Sequence, residues 1–274
     1  MSAAISDLAR RYGPWVVVTG ASDGIGRAFV EHLAAEGLHL VLVARRESAL
    51  QSLAAEVRTK HGVECRVLSE DLSDHEAAHR IAEATSELDV GLLVAAAGFG
   101  SSGPLVDADL DVEMDMVDVN CSAVLALAWH FGRRFAPRGR GGVVFMSSLL
   151  AFQGTPRAAN YAATKAYIQT LAEGLRVEWA TDGVDVIASA PGPIRSGFAE
   201  RANMRMGGAP PAAVVARATM KALGQETTVR PGWLSKLLGW SLALLPRWGK
   251  VMIIGQVMKG MTAHQSLPNE RRRV

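Results

Sequence analysis

With 274 residues, 49% of them hydrophobic and 20% charged, the chain can bury the core of one α/β domain. Its 29 basic and 27 acidic residues leave a formal charge of +2, so no overall field recruits nucleic acid, and the Arg271-Arg272-Arg273 run reads as a solvated, frayed end. Two cysteines, Cys65 and Cys121, make neither a disulfide framework nor a paired metal site.

Met1 to Tyr12 carries Asp7, Arg10 and Arg11 without a long apolar core, which does not read as a secretion signal; a reduced, cytoplasmic protein is the expectation. Trp15-Val16-Val17-Val18-Thr19 has no polar face and predicts a strand buried on both sides. Gly20-Ala21-Ser22-Asp23-Gly24-Ile25-Gly26 follows directly, then an apolar-periodic helix through Phe29, Val30 and Leu33 to Gly37. Strand, glycine-rich turn and helix in that order suit a dinucleotide. The glycines let backbone approach a pyrophosphate, and the helix start offers free N–H groups and positive dipole.

His39 to Ala44 is the second strand, and Arg45-Arg46 stand where an acidic residue would hold a free ribose 2′-hydroxyl. Two guanidinium groups and no carboxylate predict a 2′-phosphate and hence NADP(H), with Arg45 its first partner and Ser22 assisting. A third strand around Glu64 to Leu68 ends at Asp71-Leu72, and Ser73-Asp74 predicts a helix cap. His75-Glu76-Ala77-Ala78-His79 then matches the His-Glu-x-x-His pattern of zinc hydrolases, with Glu83 or Glu87 open as a third ligand. These residues open a helix on the outside of the sheet, with no second zinc element, so they read as solvated positions and no metal is expected.

Gly91 to Gly98 is the fourth strand and its exit, followed by a loop from Phe99 to Pro104 and a helical region from Asp107 to Asp118. Val124, Leu127, Ala128, Phe131 and Phe135 form an apolar helical stripe. Val143-Val144-Phe145-Met146 is a further strand with Ser148 at its tip. Pro156 suits the loop before a helix rich in Ala158, Ala159, Ala162, Ala163 and Ala166, on which Tyr161 and Lys165 stand at i and i+4 on one face. Alone, this pair reads first as a snorkelling lysine on an amphipathic helix. Beside a dinucleotide it gains a meaning, because a cation favours phenolate over phenol and predicts a tyrosine pKa below the usual value of about 10. Ser148 is placed to hydrogen-bond the same substrate oxygen.

Taken together, the Ser148, Tyr161-x-x-x-Lys165 and Gly20-x-x-x-Gly24-x-Gly26 elements resemble the short-chain dehydrogenase/reductase family, over about residues 14 to 200. The resemblance implies a doubly wound parallel Rossmann sheet flanked by helices, one domain over residues 1–274, with extra C-terminal helices. It assigns Ser148, Tyr161, Lys165 and Asn120 to catalysis, the Asn120 backbone holding a water that links the lysine to solvent. To the cofactor it assigns Gly20, Ser22, Asp23, Gly24, Ile25, Gly26, Arg45, Arg46, the Asp71 carboxylate and Leu72 backbone at the adenine edge, and Ala97 and Gly98 packed beneath. Asn120, Tyr161 and Lys165 join that set, as do Pro191, Gly192, Ile194 and Ser196 of Pro191-Gly192-Pro193-Ile194-Arg195-Ser196, where serine replaces the family's threonine. The family's Asn-Asn-Ala-Gly is here Ala95-Ala96-Ala97-Gly98, so the asparagines that brace the sheet are missing. Relatives pair the 124–135 helix and the Tyr-bearing helix across a two-fold axis, which makes a homo-oligomer, dimer or tetramer, the default.

Residues 197–224 suggest a substrate-covering segment, with Met204 and Met206 suited to an apolar pocket. An apolar extension over 232–262, broken by Pro246, falls short of the ~18 uninterrupted residues of a membrane span. It can close over a hydrophobic substrate, pack on a second subunit, or lie in a membrane interface with Lys236, Arg247, Lys250 and Lys259 at the headgroups; the first two are favoured. It loosely resembles the tails of family members acting on steroids and long-chain ketoacyl groups. The predicted activity is NADP(H)-dependent interconversion of an apolar ketone or aldehyde with its alcohol. The alternative is a regulatory protein that binds NADP(H) without turnover.

Overall fold

The computed structural model describes residues 6–265 apart from 206, 234 and 237–244, so Met206, much of the first apolar half of the tail and the Arg271–Arg273 run lie outside the described residues. Seven strands, β1 (Trp15–Thr19), β2 (His39–Ala44), β3 (Cys65–Ser69), β4 (Val90–Ala95), β5 (Gly141–Met146), β6 (Val184–Ser189) and β7 (Thr228–Val229), form one parallel sheet in the order β3-β2-β1-β4-β5-β6-β7. This is the doubly wound arrangement expected. Strand order reverses between β1 and β4, and the crevice beyond their carboxyl ends is where such sheets take ligands.

Because side chains alternate along a strand, the sheet divides the core into two slabs. Val16, Val18, Leu40, Leu42, Leu92 and Val144 point to one face, where Phe29 and Leu33 of α2 (Gly24–Ala35), Leu50 and Leu53 of α3 (Glu47–His61) and Val215 and Met220 of α9 (Ala213–Ala222) cover them. Val17, Val41, Leu93, Val143 and Phe145 point to the other, under Ile81 of α4 (Ala77–Ala84), Leu127, Phe131 and Phe135 of α6 (Ala123–Phe135), and Ile168 and Ala172 of α7 (Ala159–Glu178). With both faces covered, β1, β4 and β5 are buried at every residue, and this explains their unbroken apolar runs.

Local structure departs from expectation in three places. Helix α4 starts later than Ser73-Asp74, which instead form a turn: Ser73 N–H donates to Asp71, and Asp74 accepts from the Glu76 N–H. His75 therefore precedes the helix while His79 lies on it; His79 faces Glu83 at 3.3 Å and His75 faces Asp118 at 4.0 Å. The helical i,i+4 spacing on which the zinc pattern depends is not formed, and no group of three potential metal ligands occurs among the described residues. Next, within the 197–224 stretch, α9 packs into the first slab, and only the part around α8 (Phe198–Arg201) and Met204 reaches the ligand crevice. Finally, β7 adds two residues at the sheet edge, paired with Ala188 and Ser189.

The tail ends in α10 (Arg247–Met261), which follows Pro246. Ile254 and Met258 turn inward to a small third cluster with Met116, Tyr161 and Met204, while Trp248, Met252 and Ile253 face outward. No helix among the described residues is long and apolar enough to cross a membrane.

A polar clasp fixes the far end of α10. Arg157, held at φ 67° just before α7, donates from Nε to the Thr262 hydroxyl (2.6 Å) and from Nη2 to Gln265 Oε1 (2.9 Å). Gln265 Nε2 in turn donates to Ser102 Oγ (2.8 Å) and the Asn203 carbonyl (2.7 Å). Arg157→Gly suits the positive φ while deleting both guanidinium bonds. The expected result is faster amide exchange across 247–262 with little change elsewhere; exchange unaltered in α10 would mean the clasp holds nothing.

Candidate active site

The carboxyl ends of β1, β4, β5 and β6 surround a cavity of about 290 Å³ whose lining includes Gly98, Ser148, Tyr161, Lys165, Gly192 and Ile194. Ile25, at the start of α2 just past the turn after β1, lines it. Gly20 has φ 66°, and a Cβ there would stand 2.8 Å from the Ala97 Cα, so only glycine lets the two chain crossings touch. A Cβ on Gly26 would overlap the Gly20 carbonyl. Gly26→Ala is expected to cost about 1–3 kcal/mol of stability and to weaken NADPH binding together with it, read by thermal melting and tryptophan quenching. Normal melting and binding in that variant would contradict the close-approach argument.

Asp23 caps α2, its Oδ1 accepting from the Gly24 N–H at 2.6 Å, with Arg201 3.6 Å from its other oxygen. That carboxylate is occupied by the fold, which leaves backbone rather than side chain for a phosphate. Ser196 abuts the same helix start, its Cβ 2.9 Å from where a Gly24 Cβ would be. Ile25 and Ser196 both line the cavity. A glycine cradle at a helix N-terminus, roofed by a hydroxyl, fits a dinucleotide pyrophosphate.

Arg45 and Arg46 stand at the exit of β2, with Arg46 opening α3. The Arg45 side chain is 69% exposed, and its guanidinium lies 3.8 Å from Asp71, itself bonded by the Ser73 N–H and hydroxyl. Leu72 is buried in the second slab.

The bracing lost with Ala95-Ala96-Ala97-Gly98 is supplied from elsewhere. Buried Thr19 accepts the Ala97 N–H at 3.1 Å. Asn120, fully buried in a wide π turn over Asp118–Ser122 between α5 (Leu110–Val117) and α6, accepts the Phe99 N–H (3.1 Å) and donates to the Phe99 carbonyl (2.9 Å) and Thr164 hydroxyl (3.1 Å). Its side chain thus ties the β4 exit to α7. Sequence reading missed Thr19, although a hydroxyl ending a buried apolar strand was a usable signal.

Ser148 caps a one-turn helix over Leu149–Phe152, its Oγ accepting from the Leu150 N–H at 3.2 Å. Pro191 anchors that turn through its carbonyl (Leu149 N–H, 3.0 Å), and Ser235 holds the Gly192 N–H at 2.9 Å. Tyr161 and Lys165 share one face of α7 as predicted, and both are buried. The titration expectation is corrected, however. Burial pushes the Tyr161 phenol up to about 12, with Ser148 pulling it back, and burial pulls the Lys165 ammonium down to about 8. The physical reason lies in where the ammonium goes. Lys165 Nζ donates to the Met146 carbonyl at 2.9 Å and lies 5.7 Å from the centre of the tyrosine ring, so desolvation outweighs its attraction for a phenolate.

Above Tyr161 the walls are apolar. Phe198 meets its ring at a centroid distance of 5.2 Å, and Met204, Ile254, Met258 and Met261 close the side. Sequence reading did not anticipate two cations in this lining, Arg230 and Lys250.

Residues 14–206 match the family model described as short chain dehydrogenase. A 7β-hydroxysteroid dehydrogenase of Clostridium sardiniense is 38% identical over 182 residues, 66% of this chain and 70% of the relative. A solved 7β-hydroxysteroid dehydrogenase structure, 30% identical, superposes with a TM-score of 0.84 over 91% of this chain and 99% of the other. A short-chain dehydrogenase from Sphingobium yanoikuyae in complex with NADPH, 27% identical, gives 0.77 over 86% and 97%.

Proposed function

The chain belongs to the short-chain dehydrogenase family of oxidoreductases, and from that premise we propose that it interconverts a ketone and a secondary alcohol on an apolar, steroid-sized substrate with NADP(H). The observation that carries the reading is the meeting of Ser148, Tyr161 and Lys165 with Ile25, Gly98 and Ser196 in one apolar-walled cavity. NADP(H), when bound, supplies or accepts the hydride. The chain's own residues do the rest. The Gly20–Gly26 backbone and Ser196 would hold the pyrophosphate, Arg45 would pair with the 2′-phosphate, and Ile194 and Gly98 would border the reacting end.

In the reductive direction Ser148 fixes the substrate oxygen by a hydrogen bond and Tyr161 donates its phenol proton to it. At neutral pH a phenol held near 12 is fully protonated and ready as an acid. Lys165, buried beside it, supplies positive charge as negative charge develops, and Asn120 keeps the β4 exit and α7 in register. Helix α10, through Ile254 and Met258, excludes water from the substrate. Exposed Leu125 and Trp129 on α6, with Tyr167 and Val177 on α7, suit a homo-oligomeric contact.

A panel of apolar ketones including a 7-ketosteroid, followed by nicotinamide absorbance with NADPH and NADH, tests the proposal. Turnover with NADPH is expected. Tight NADPH binding with no turnover across the panel would favour the non-catalytic alternative.

A further inference from the structure

Helix α8 and the turn before it touch both halves of the site. Ser196 abuts the start of α2, and Gly197 lies against its cap, where an added Cβ would stand 2.6 Å from Asp23 Oδ2. One turn on, Arg201 donates from Nε to the Gly197 carbonyl at 3.3 Å and brings its Nη2 to 3.6 Å from the same Asp23 oxygen. Between these anchors Phe198 meets the Tyr161 ring, and just beyond them Met204 reaches the cavity wall. The far end is fastened too: Ser102 Oγ donates to the Ala202 carbonyl (2.6 Å) and the Arg205 N–H to the Met261 carbonyl (2.9 Å). One short stretch, Ser196 to Arg205, thus joins the start of α2 to the apolar wall.

The fold makes little use of the Arg201 charge. Its pair with Asp23 is long, the two side chains are 49% and 41% exposed, and such a pair contributes little. Its position is also a poor one for a cation, because a helix N-terminus carries positive partial charge and favours anions. Asp23 offsets that charge through its bond to the Gly24 N–H. The same carboxylate would repel a diphosphate arriving at the cradle. A guanidinium beside both resolves the conflict, since its planar fork can serve a carboxylate with one edge and a phosphate with the other.

We propose that Arg201 is a further coenzyme-binding residue, which pairs with the diphosphate of NADP(H) while keeping Asp23 as its neighbour. This rests on the Gly20–Gly26 cradle proposed above and adds a cation from the opposite side of it. Arg201 takes no part in hydride or proton transfer. Because Phe198 and Met204 lie in the same short segment, the pairing also ties the apolar wall to the coenzyme.

The test reads binding and amide exchange, so it holds whether or not a ketone turns over. Arg201→Gln is expected to weaken NADPH about tenfold, the factor of one charge-assisted hydrogen bond. Its affinity for 2′-AMP, which carries the 2′-phosphate but no diphosphate, is expected to match the wild type, and Arg201→Lys to recover part of the NADPH loss. The side chain is half-exposed, so both variants are expected to fold. NADPH is expected to slow amide exchange over 197–205 in the wild type and not in Arg201→Gln. Asp23→Asn separates this role from a structural one: asparagine still caps α2, and loss of the charge is expected to leave NADPH affinity equal or higher. If Asp23→Asn weakens NADPH as much as Arg201→Gln does, Arg201 acts only by holding the cap and the assignment is overturned. It is overturned equally if Arg201→Gln binds NADPH as the wild type does, or loses NADPH and 2′-AMP alike. An NADPH affinity indifferent to Gly26→Ala would fail the cradle itself, and this assignment with it, whereas the other outcomes fail Arg201 alone.

Discussion

Tyr161→Phe is expected to lose about 10²–10⁴-fold in kcat while binding NADPH within a few-fold of wild type. Only the hydroxyl is removed. The ring that meets Phe198 at 5.2 Å remains, as does the packing against Met116 and Ile254, so a collapse of the fold would not account for the loss. Ser148→Ala keeps the proton donor and loses one oxygen contact, so it should fall less. The pH dependence follows from the same two buried groups. Ketone reduction consumes a proton from a phenol protonated up to about 12, and it is expected to be fastest below about pH 8, where Lys165 keeps its charge. Alcohol oxidation must first remove that proton, so its rate should climb through the alkaline range. Substantial turnover in Tyr161→Phe, or oxidation that falls as pH rises from neutrality, would remove this tyrosine from the chemistry.

Arg45→Glu is expected to weaken NADPH about 10²-fold and NADH only slightly, read as the ratio of the two dissociation constants. Among the described residues the guanidinium has no strong partner. Asp71 is 3.8 Å away and both groups are largely in water, a pairing worth about 0–1 kcal/mol, so turning to a 2′-phosphate forfeits little. A phosphate offers charge-assisted bonds of about 1.5–3 kcal/mol each. The glutamate would both remove these and place a second negative charge beside Asp71. If the two cofactors lose affinity equally, Arg45 is a fold residue and the specificity lies elsewhere.

Much of this site could be read from the chain because its geometry is local. Tyr161 and Lys165 share a face by helical periodicity, and Gly20 to Gly26 sit between a strand and a helix whose ends differ from expectation by a residue or two. The fully apolar strands announced a sheet covered on both sides. What escaped depends on distance through space. The Tyr161 titration was misjudged because spacing gives the nearness of a cation but not burial, nor the competing Met146 carbonyl that draws Lys165 aside. Ser73-Asp74 looked like a cap, yet Asp71 claimed the Ser73 N–H first. The two residues of β7 have too little pattern of their own and become a strand only by pairing with β6. Arg230 and Lys250 meet at one cavity from positions twenty residues apart, on either side of a stretch that is mostly apolar.

The sheet that separates the two slabs also separates two kinds of vulnerability. The proposed dinucleotide cradle opens α2, anchored among Phe29, Leu33 and Val215 beneath the sheet, whereas the proposed proton donor, Tyr161, rides α7, anchored among Ile168, Ala172 and Phe145 above it. Damage below therefore reaches coenzyme grip first, and damage above reaches the alignment of the acid first, because strand backbone stands between them. Substitutions among Phe29, Leu33 and Val215 are thus expected to lower coenzyme affinity before they disturb Tyr161, and substitutions among Ile168 and Ala172 to do the reverse, with Met146, whose carbonyl holds Lys165, as the point where the two sides meet.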